Sequence, residues 1–257
     1  MGRDSKGEDI IKYVGSKARI AKDIVPIIQK CIDDNGIKNY YEPFVGGANM
    51  IEYIKCEKRY GNDIHKELIA LFKELQSGFT PPYTISEEEY NKVRLNRNSY
   101  PDYYVGLVGF NATFGSKYFG GYARGFKADG ITPRDIPNEA IRNLMTQFPK
   151  IKDVMFSCGD YRMVNIIEPA VIYCDPPYNT PTKYAVEKFN YSEFWGWVRE
   201  KSIDNYVFVS EYNAPNDFKC LWQKKITTSL KVHEHEDRIE RLFTYKNGLY
   251  ACNNSTI

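Results

Sequence analysis

The feature that most constrains this chain is a rhythm. Strand-length apolar runs recur along it, with helix-length segments between several of them. The runs are residues 38–44 (KNYYEPF), 58–63 (KRYGND), 153–160 (DVMFSCGD), 170–177 (AVIYCDPP), 205–212 (NYVFVSEY), 225–232 (KITTSLKV) and 240–246 (ERLFTYK). Residues 47–57 (GANMIEYIKCE) fit a helix between the first two runs. Residues 64–76 carry Ile64, Leu68, Leu71, Phe72 and Leu75 at helical spacing, and 192–201 (SEFWGWVREK) is a further amphipathic candidate. Strands alternating with helices bury their apolar surface in a mostly parallel sheet covered on both faces. An α/β fold is the expectation. Trp195 and Trp197, two positions apart, cannot share one helix face, so one of them is assigned to the core.

Residues 80–150 break this rhythm. Ser86 is placed as an N-cap, with Glu87, Glu88 and Glu89 in the first helical turn, where acidic side chains suit the helix dipole. Residues 109–130 (GFNATFGSKYFGGYARGFKADG) are dense in Gly and aromatics and read as loop or hairpin, and 137–148 (PNEAIRNLMTQF) as a helix. We read 80–150 as a partly helical insertion, and 1–79 with 151–257 as the main domain. Between residues 91 and 127, Lys92, Arg94, Arg97, Lys117, Arg124 and Lys127 stand against Asp102 alone. Basic residues interleaved with aromatics suit a nucleic-acid surface, and equally a solvated basic face.

The remaining bulk properties exclude several classes. A net charge of +2 does not describe a polyelectrolyte binder. No apolar stretch approaches the ~20 residues of a membrane span. The charged start, MGRDSKGEDI, has no apolar signal core, so a cytoplasmic protein is expected. The six cysteines include no C-x-x-C pair, which fits neither a zinc site nor a disulfide framework. His233 and His235 form an H-x-H, but His65 is the only other histidine, and no metal is expected.

Two motifs carry chemistry. In YEPFVGGANM (41–50), Gly46 and Gly47 follow a strand and precede the expected helix, a place where backbone can approach a ligand closely. Asp63 ends the next strand, where an acid can accept from both hydroxyls of a ribose. The pattern is not G-x-G-x-x-G, which weakens a nicotinamide reading. In VIYCDPPYNT (171–180), Pro176 and Pro177 end a buried strand, because each lacks an N–H and fixes its own φ. Asp175 and the Pro176 carbonyl could both accept from one exocyclic amino group, and Tyr178 could stack on the ring that bears it.

From residue 11 onward the chain resembles the Dam-type, or α-group, S-adenosylmethionine-dependent DNA adenine-N6 methyltransferases. The order KYVGSKARIAKDI (12–24), EPFVGGA (42–48), insertion, DPPY (175–178) is that family's order. The resemblance implies a Rossmann-like class I methyltransferase fold, a seven-stranded mostly parallel sheet with helices on both faces and an inserted target-recognition subdomain. It implies cofactor contacts from Tyr13, Lys17, Phe44, Gly46, Asp63, Asp160, Tyr161 and Asp175, and catalysis by Asp175, Pro176, Pro177 and Tyr178 on a flipped-out adenine. Lys117, Tyr118, Arg124 and Lys127 are the candidates for contacting double-stranded DNA; no membrane and no obligate protein partner is implied. Ala48 stands for the last Gly of the family's F-x-G-x-G, and Ser16 for another Gly. NATFGSKYFGGYARG replaces the Asn-x-Pro-Phe-Gly element of members specific for GATC, so that specificity is not implied. Two alternatives stay open at this point: an N6-type enzyme acting on RNA or another amino-bearing base, and a catalytically silent DNA-binding relic.

Overall fold

A computed structural model of the protein describes residues 18–114, 117–177, 189–231 and 234–253. Tyr13, Lys17, Tyr178 and His233 therefore lie outside the described residues. The strands are β1 (Asn39–Glu42), β2 (Lys58–Asp63), β3 (Met155–Cys158), β4 (Val171–Cys174), β5 (Tyr206–Glu211), β6 (Phe218–Lys231) and β7 (Glu234–Tyr245). They form one seven-stranded sheet in the order β3-β2-β1-β4-β5-β7-β6. β1 runs parallel to β2 and β4, and β4 to β5, while β7 is antiparallel to β5 and β6. The mostly parallel sheet is the expected one. Its order reverses between β1 and β4, and open α/β sheets place ligands at the carboxyl ends of strands flanking such a reversal.

The helices are α1 (Ala18–Asn35), α2 (Lys66–Gln76), α3 (Glu87–Leu95), α4 (Asp102–Asn111), α5 (Ile136–Ile151), α6 (Tyr191–Lys201) and α7 (Leu249–Asn253). The chain divides into two compact units. One takes the residues through Lys22, Val45–Tyr53 and Asp63–Gly159; the other takes Asp23–Phe44, Ile54–Asn62 and the chain from Asp160. The unit that contains residues 80–150 also takes in α2 and β3.

In the second unit β4 is buried throughout, as is β5, the pattern of strands covered on both faces. Both tryptophans of α6 are buried, which corrects the assignment of a single one to the core. Positions two apart on a helix lie about 200° apart. Trp195 packs on Phe218 with centroids 4.6 Å apart, and Trp197 edge-on against Tyr161 at 5.3 Å, so α6 is covered on both flanks.

In the first unit α2 buries Leu68, Ile69, Leu71, Phe72 and Leu75, and Phe72 stacks on Phe156 of β3 with centroids 4.8 Å apart. Ile64, assigned to this apolar face from its spacing, is instead 77 % exposed. The Asp63 carboxylate takes the His65 N–H in a local turn, and the helix starts only at Lys66. Ser86 caps α3 as expected, accepting from the Glu89 N–H at 3.1 Å. α4, absent from the sequence reading, is buried from Val105 to Asn111. A Cβ on Gly106 would lie 2.2 Å from the Glu67 carbonyl oxygen, so α2 and α4 meet backbone to backbone. The helix expected over 47–57 does not form. Gly46 and Ala48 sit at φ 47° and 57°, left-handed values that break a right-handed helix, and only one 3₁₀ turn follows, Ile51–Tyr53.

Candidate active site

β1 and β4, which flank the reversal, lead into Phe44 and Asp175 in the same unit. Phe44 belongs to an aromatic wall, with ring centroids 5.0 Å from Tyr161 and 5.8 Å from both Phe189 and Phe194. Burial pushes the Tyr161 phenol up to about 12, so it stays neutral and the wall is uncharged. The Asn62 side chain donates to the Pro43 carbonyl at 3.2 Å and holds the turn that carries Phe44.

Asp160 caps the 3₁₀ turn Tyr161–Met163 through the Arg162 N–H at 2.8 Å. The Arg162 guanidinium also grips both its oxygens, Nε to Oδ1 at 2.8 Å and Nη2 to Oδ2 at 2.6 Å, and holds the carboxyl below the usual aspartate value. Arg162 reaches Glu193 of α6 as well. Asp160 is therefore an anchored acid with a fixed orientation.

At the end of β4, Asp175 is half-buried, Pro176 buried and Pro177 exposed. The Tyr191 hydroxyl donates to the Pro177 carbonyl and ties the first residue of α6 to this turn. Burial and the nearby Glu211 charge raise the Tyr191 phenol, keeping it a donor. The thiol of Cys174 and the phenol of Tyr173 are pushed up by burial and then by the Asp175 charge. Tyr173 shares a hydrogen bond with Ser210 at 2.7 Å. The side chains next to Asp175 along the strand are therefore neutral.

Asp63 and Gly46 belong to the other unit. Asp63 Oδ2 accepts from the Gly46 N–H at 3.0 Å and Oδ1 from the His65 N–H at 2.9 Å. Burial raises its carboxyl, and the backbone donors of His65 and Gly46 hold it partly down. A carboxylate oxygen has more than one acceptor position, so an acid held by backbone donors in this way can still accept from the hydroxyls of a vicinal diol. From α5, Gln147 donates to the Gly47 carbonyl at 3.0 Å and steadies the glycine turn. The helix expected after these glycines is absent, and the one 3₁₀ turn there has no developed dipole. In this unit an acid beside a glycine turn has the chemistry to hold the hydroxyls of a ribose; in the other unit the uncharged aromatic wall has the chemistry to line a flat ring.

Within residues 80–150, Lys117, Arg124 and Lys127 are exposed. Arg124 pairs with Glu87, and Lys92 with Glu88 at 2.8 Å. The window over 91–127 left out these acids of α3, so the basic excess there is smaller than its composition suggested. Tyr118, one of the DNA-contact candidates, is half-buried and packs inward against His65 and Phe110, with centroids at 4.5 and 4.9 Å. Sequence reasoning passed over Tyr191, Phe189 and Gln147, whose roles depend on contacts made far along the chain. Among the described residues no group of His, Cys, Asp and Glu could hold a metal, and no helix is long and apolar enough to cross a membrane.

A sheet in this order, with its antiparallel strand between β5 and β6, is the scaffold of Rossmann-like methyltransferases, and here Asp-Pro-Pro stands at its reversal. Residues 13–202 match the D12 class of N6 adenine-specific DNA methyltransferases, and the chain belongs to that family. Its methyl donor is S-adenosylmethionine and its substrate is DNA. A type II methyltransferase of Methanocaldococcus jannaschii, M.MjaIII, is 27 % identical over 201 residues, covering 67 % of this chain and 70 % of the relative. The crystal structure of SMU.472 complexed with SAH aligns over 94 % of this chain and 55 % of its own, with 10 % identity and a TM-score of 0.39.

Proposed function

We propose that the chain methylates the N6 amino group of an adenine flipped out of a specific site in duplex DNA, with Asp175 and the Pro176 carbonyl as acceptors for the amino hydrogens. The observation that carries this reading is the Asp-Pro-Pro turn at the carboxyl end of a fully buried strand, β4, beside the reversal of the sheet. An adenine amino nitrogen is a poor nucleophile because its lone pair is delocalised into the ring. Two acceptors on its hydrogens favour a pyramidal nitrogen and free that lone pair. The base must leave the duplex stack for these acceptors to reach it. Bound S-adenosylmethionine supplies an electrophilic methyl group. Asp63 would take its ribose hydroxyls, and Phe44 and Tyr161 would line its adenine. Tyr13, Lys17 and Tyr178 keep the roles that the resemblance assigns them, the last as the stacking partner of the flipped base. The neutral, buried Cys174 is no nucleophile, which fits direct transfer without a protein-bound intermediate. Lys117, Arg124 and Lys127 would contact phosphates and position the duplex. The setting is the cytoplasm of a bacterial or phage-infected cell.

The test is expression in a methylation-free bacterial host with mapping of N6-methyladenine, alongside labelled methyl incorporation into duplex DNA, single strands and RNA. Methyladenine at one recurring sequence, with label in the duplex, is expected. Preferential labelling of RNA, or no transfer to any substrate, would overturn the reading.

A further inference from the structure

We propose that His65 is a positioning residue that links the methyl-donor acid Asp63 to the recognition turn at 117–121, so that occupancy of one stiffens the other. The proposal rests on the donor-site reading of Asp63 given above. His65 faces both ways. Its backbone N–H donates to Asp63 Oδ1 at 2.9 Å. Its ring is set by Nδ1, 3.1 Å from Glu67 Oε2 on α2, and packs edge-on against Tyr118 and Phe110, with centroids at 4.5 and 5.0 Å.

From Tyr118 the packing continues without slack. Tyr118 meets Phe119 edge-on at 4.8 Å, and the Arg97 guanidinium lies 4.5 Å over Phe119 and 5.3 Å over Tyr118. Both rings press on α4 at Gly109, where an added Cβ would come within 2.6 Å of Tyr118 and 2.7 Å of Phe119. The Phe119 N–H donates to the Gly109 carbonyl at 3.1 Å, with Phe119 in the left-handed region at φ 49°. Thr113 closes the turn by donating to the Lys117 carbonyl at 2.7 Å and accepting from the Gly120 N–H at 2.9 Å. Lys117, an exposed base on this turn, therefore stands on a frame whose far end is the Asp63 carboxylate. A close-packed frame has few intermediate positions, so fixing Asp63 with a ribose narrows the positions open to Tyr118. By linkage the effect runs in both directions.

Hydrogen–deuterium exchange on the full chain, with and without saturating S-adenosylhomocysteine, tests this. Binding should slow exchange over residues 117–123 by about fivefold or more. His65→Ala should still bind S-adenosylhomocysteine, because its backbone donor to Asp63 remains, but 117–123 should no longer respond. His65→Phe keeps a ring against Tyr118 and should retain the response. Should His65→Ala fail to fold, Tyr118→Leu approaches the link from the other end and should bind while losing the response. An unchanged 117–123 segment in the bound wild type, or an equal response without the ring, would overturn the link. Failure of the unsubstituted chain to bind S-adenosylhomocysteine would instead overturn the donor-site reading, and the link with it.

Discussion

The turn after β4 and the turn at 117–121 are both short and both carry functional candidates, yet they are held in different ways. The first is fixed mainly by its own chain. Two prolines set their own φ, a buried strand delivers them, and one hydroxyl, from Tyr191, fastens the exit. The second has glycines at 120 and 121 and no such covalent restraint. It is held from outside by Tyr118 and Phe119 against α4, by Arg97 above them and by His65 at the inner end. A turn of the first kind keeps its geometry when distant residues change, whereas one of the second kind takes its geometry from its neighbours.

Several substitutions should break or sharpen this contrast, and we take them from the largest effect on stability to the smallest. Tyr161→Ala removes a buried ring from the wall beside the sheet and should cost about 3–5 kcal/mol in thermal or denaturant unfolding. Tyr161→Phe should recover most of that, since packing and not the hydroxyl is at stake. Gly109→Ala forces Tyr118 and Phe119 outward and should cost about 1–3 kcal/mol, with altered exchange concentrated at 117–121. If the loss spread evenly over the chain instead, that turn would not depend on packing as described. Ser86→Ala removes the α3 cap and should cost about 1 kcal/mol, with no effect on affinity for S-adenosylhomocysteine. Arg124→Ala should leave thermal stability nearly unchanged, because its ion pair with Glu87 is exposed. If Arg124 contacts a phosphate, the salt dependence of DNA binding should fall by about one unit of slope.

Asp63 adds a test by pH. Its carboxyl is raised above the ordinary 3.8 by burial. Ribose hydroxyls donate to the ionised form, so ligand binding opposes protonation. Affinity for S-adenosylhomocysteine should therefore be full at neutral pH and fall as the pH drops through the raised value, earlier than for an ordinary aspartate. Titration calorimetry across that range reads it, and Asp63→Ala should bind weakly with no such pH dependence.

The parts of the fold that rest on local pattern were legible in the sequence. Each of the seven expected runs overlaps a strand, and Ser86 caps a helix where its neighbours placed it. The misreadings have physical causes. α4 is buried from Val105 to Asn111, and Gly109, which opened the stretch taken as loop, serves close contact with Tyr118, as Gly106 does with α2. The segment after Gly46 has helical composition, but two left-handed residues and a turn tied to Asp63 prevent a helix. β6 begins at Phe218, seven residues before the expected run, because its pairing with β7 starts at Tyr245 and runs the whole length of the strand. Among the candidate residues, Phe44, Asp63 and Asp175 could be named from motifs. Tyr191, Gln147 and His65 could not, because their partners lie on other elements: Pro177 for Tyr191, Gly47 for Gln147, and Tyr118 for His65.

The most direct test of the account is single-turnover methyl transfer by Asp175→Ala on DNA carrying the mapped site, with S-adenosylhomocysteine and DNA affinities measured on the same protein. Turnover should fall by about a hundredfold or more while both affinities stay close to those of the unsubstituted chain. Methyl transfer at near wild-type rate would contradict the role given to the Asp-Pro-Pro turn.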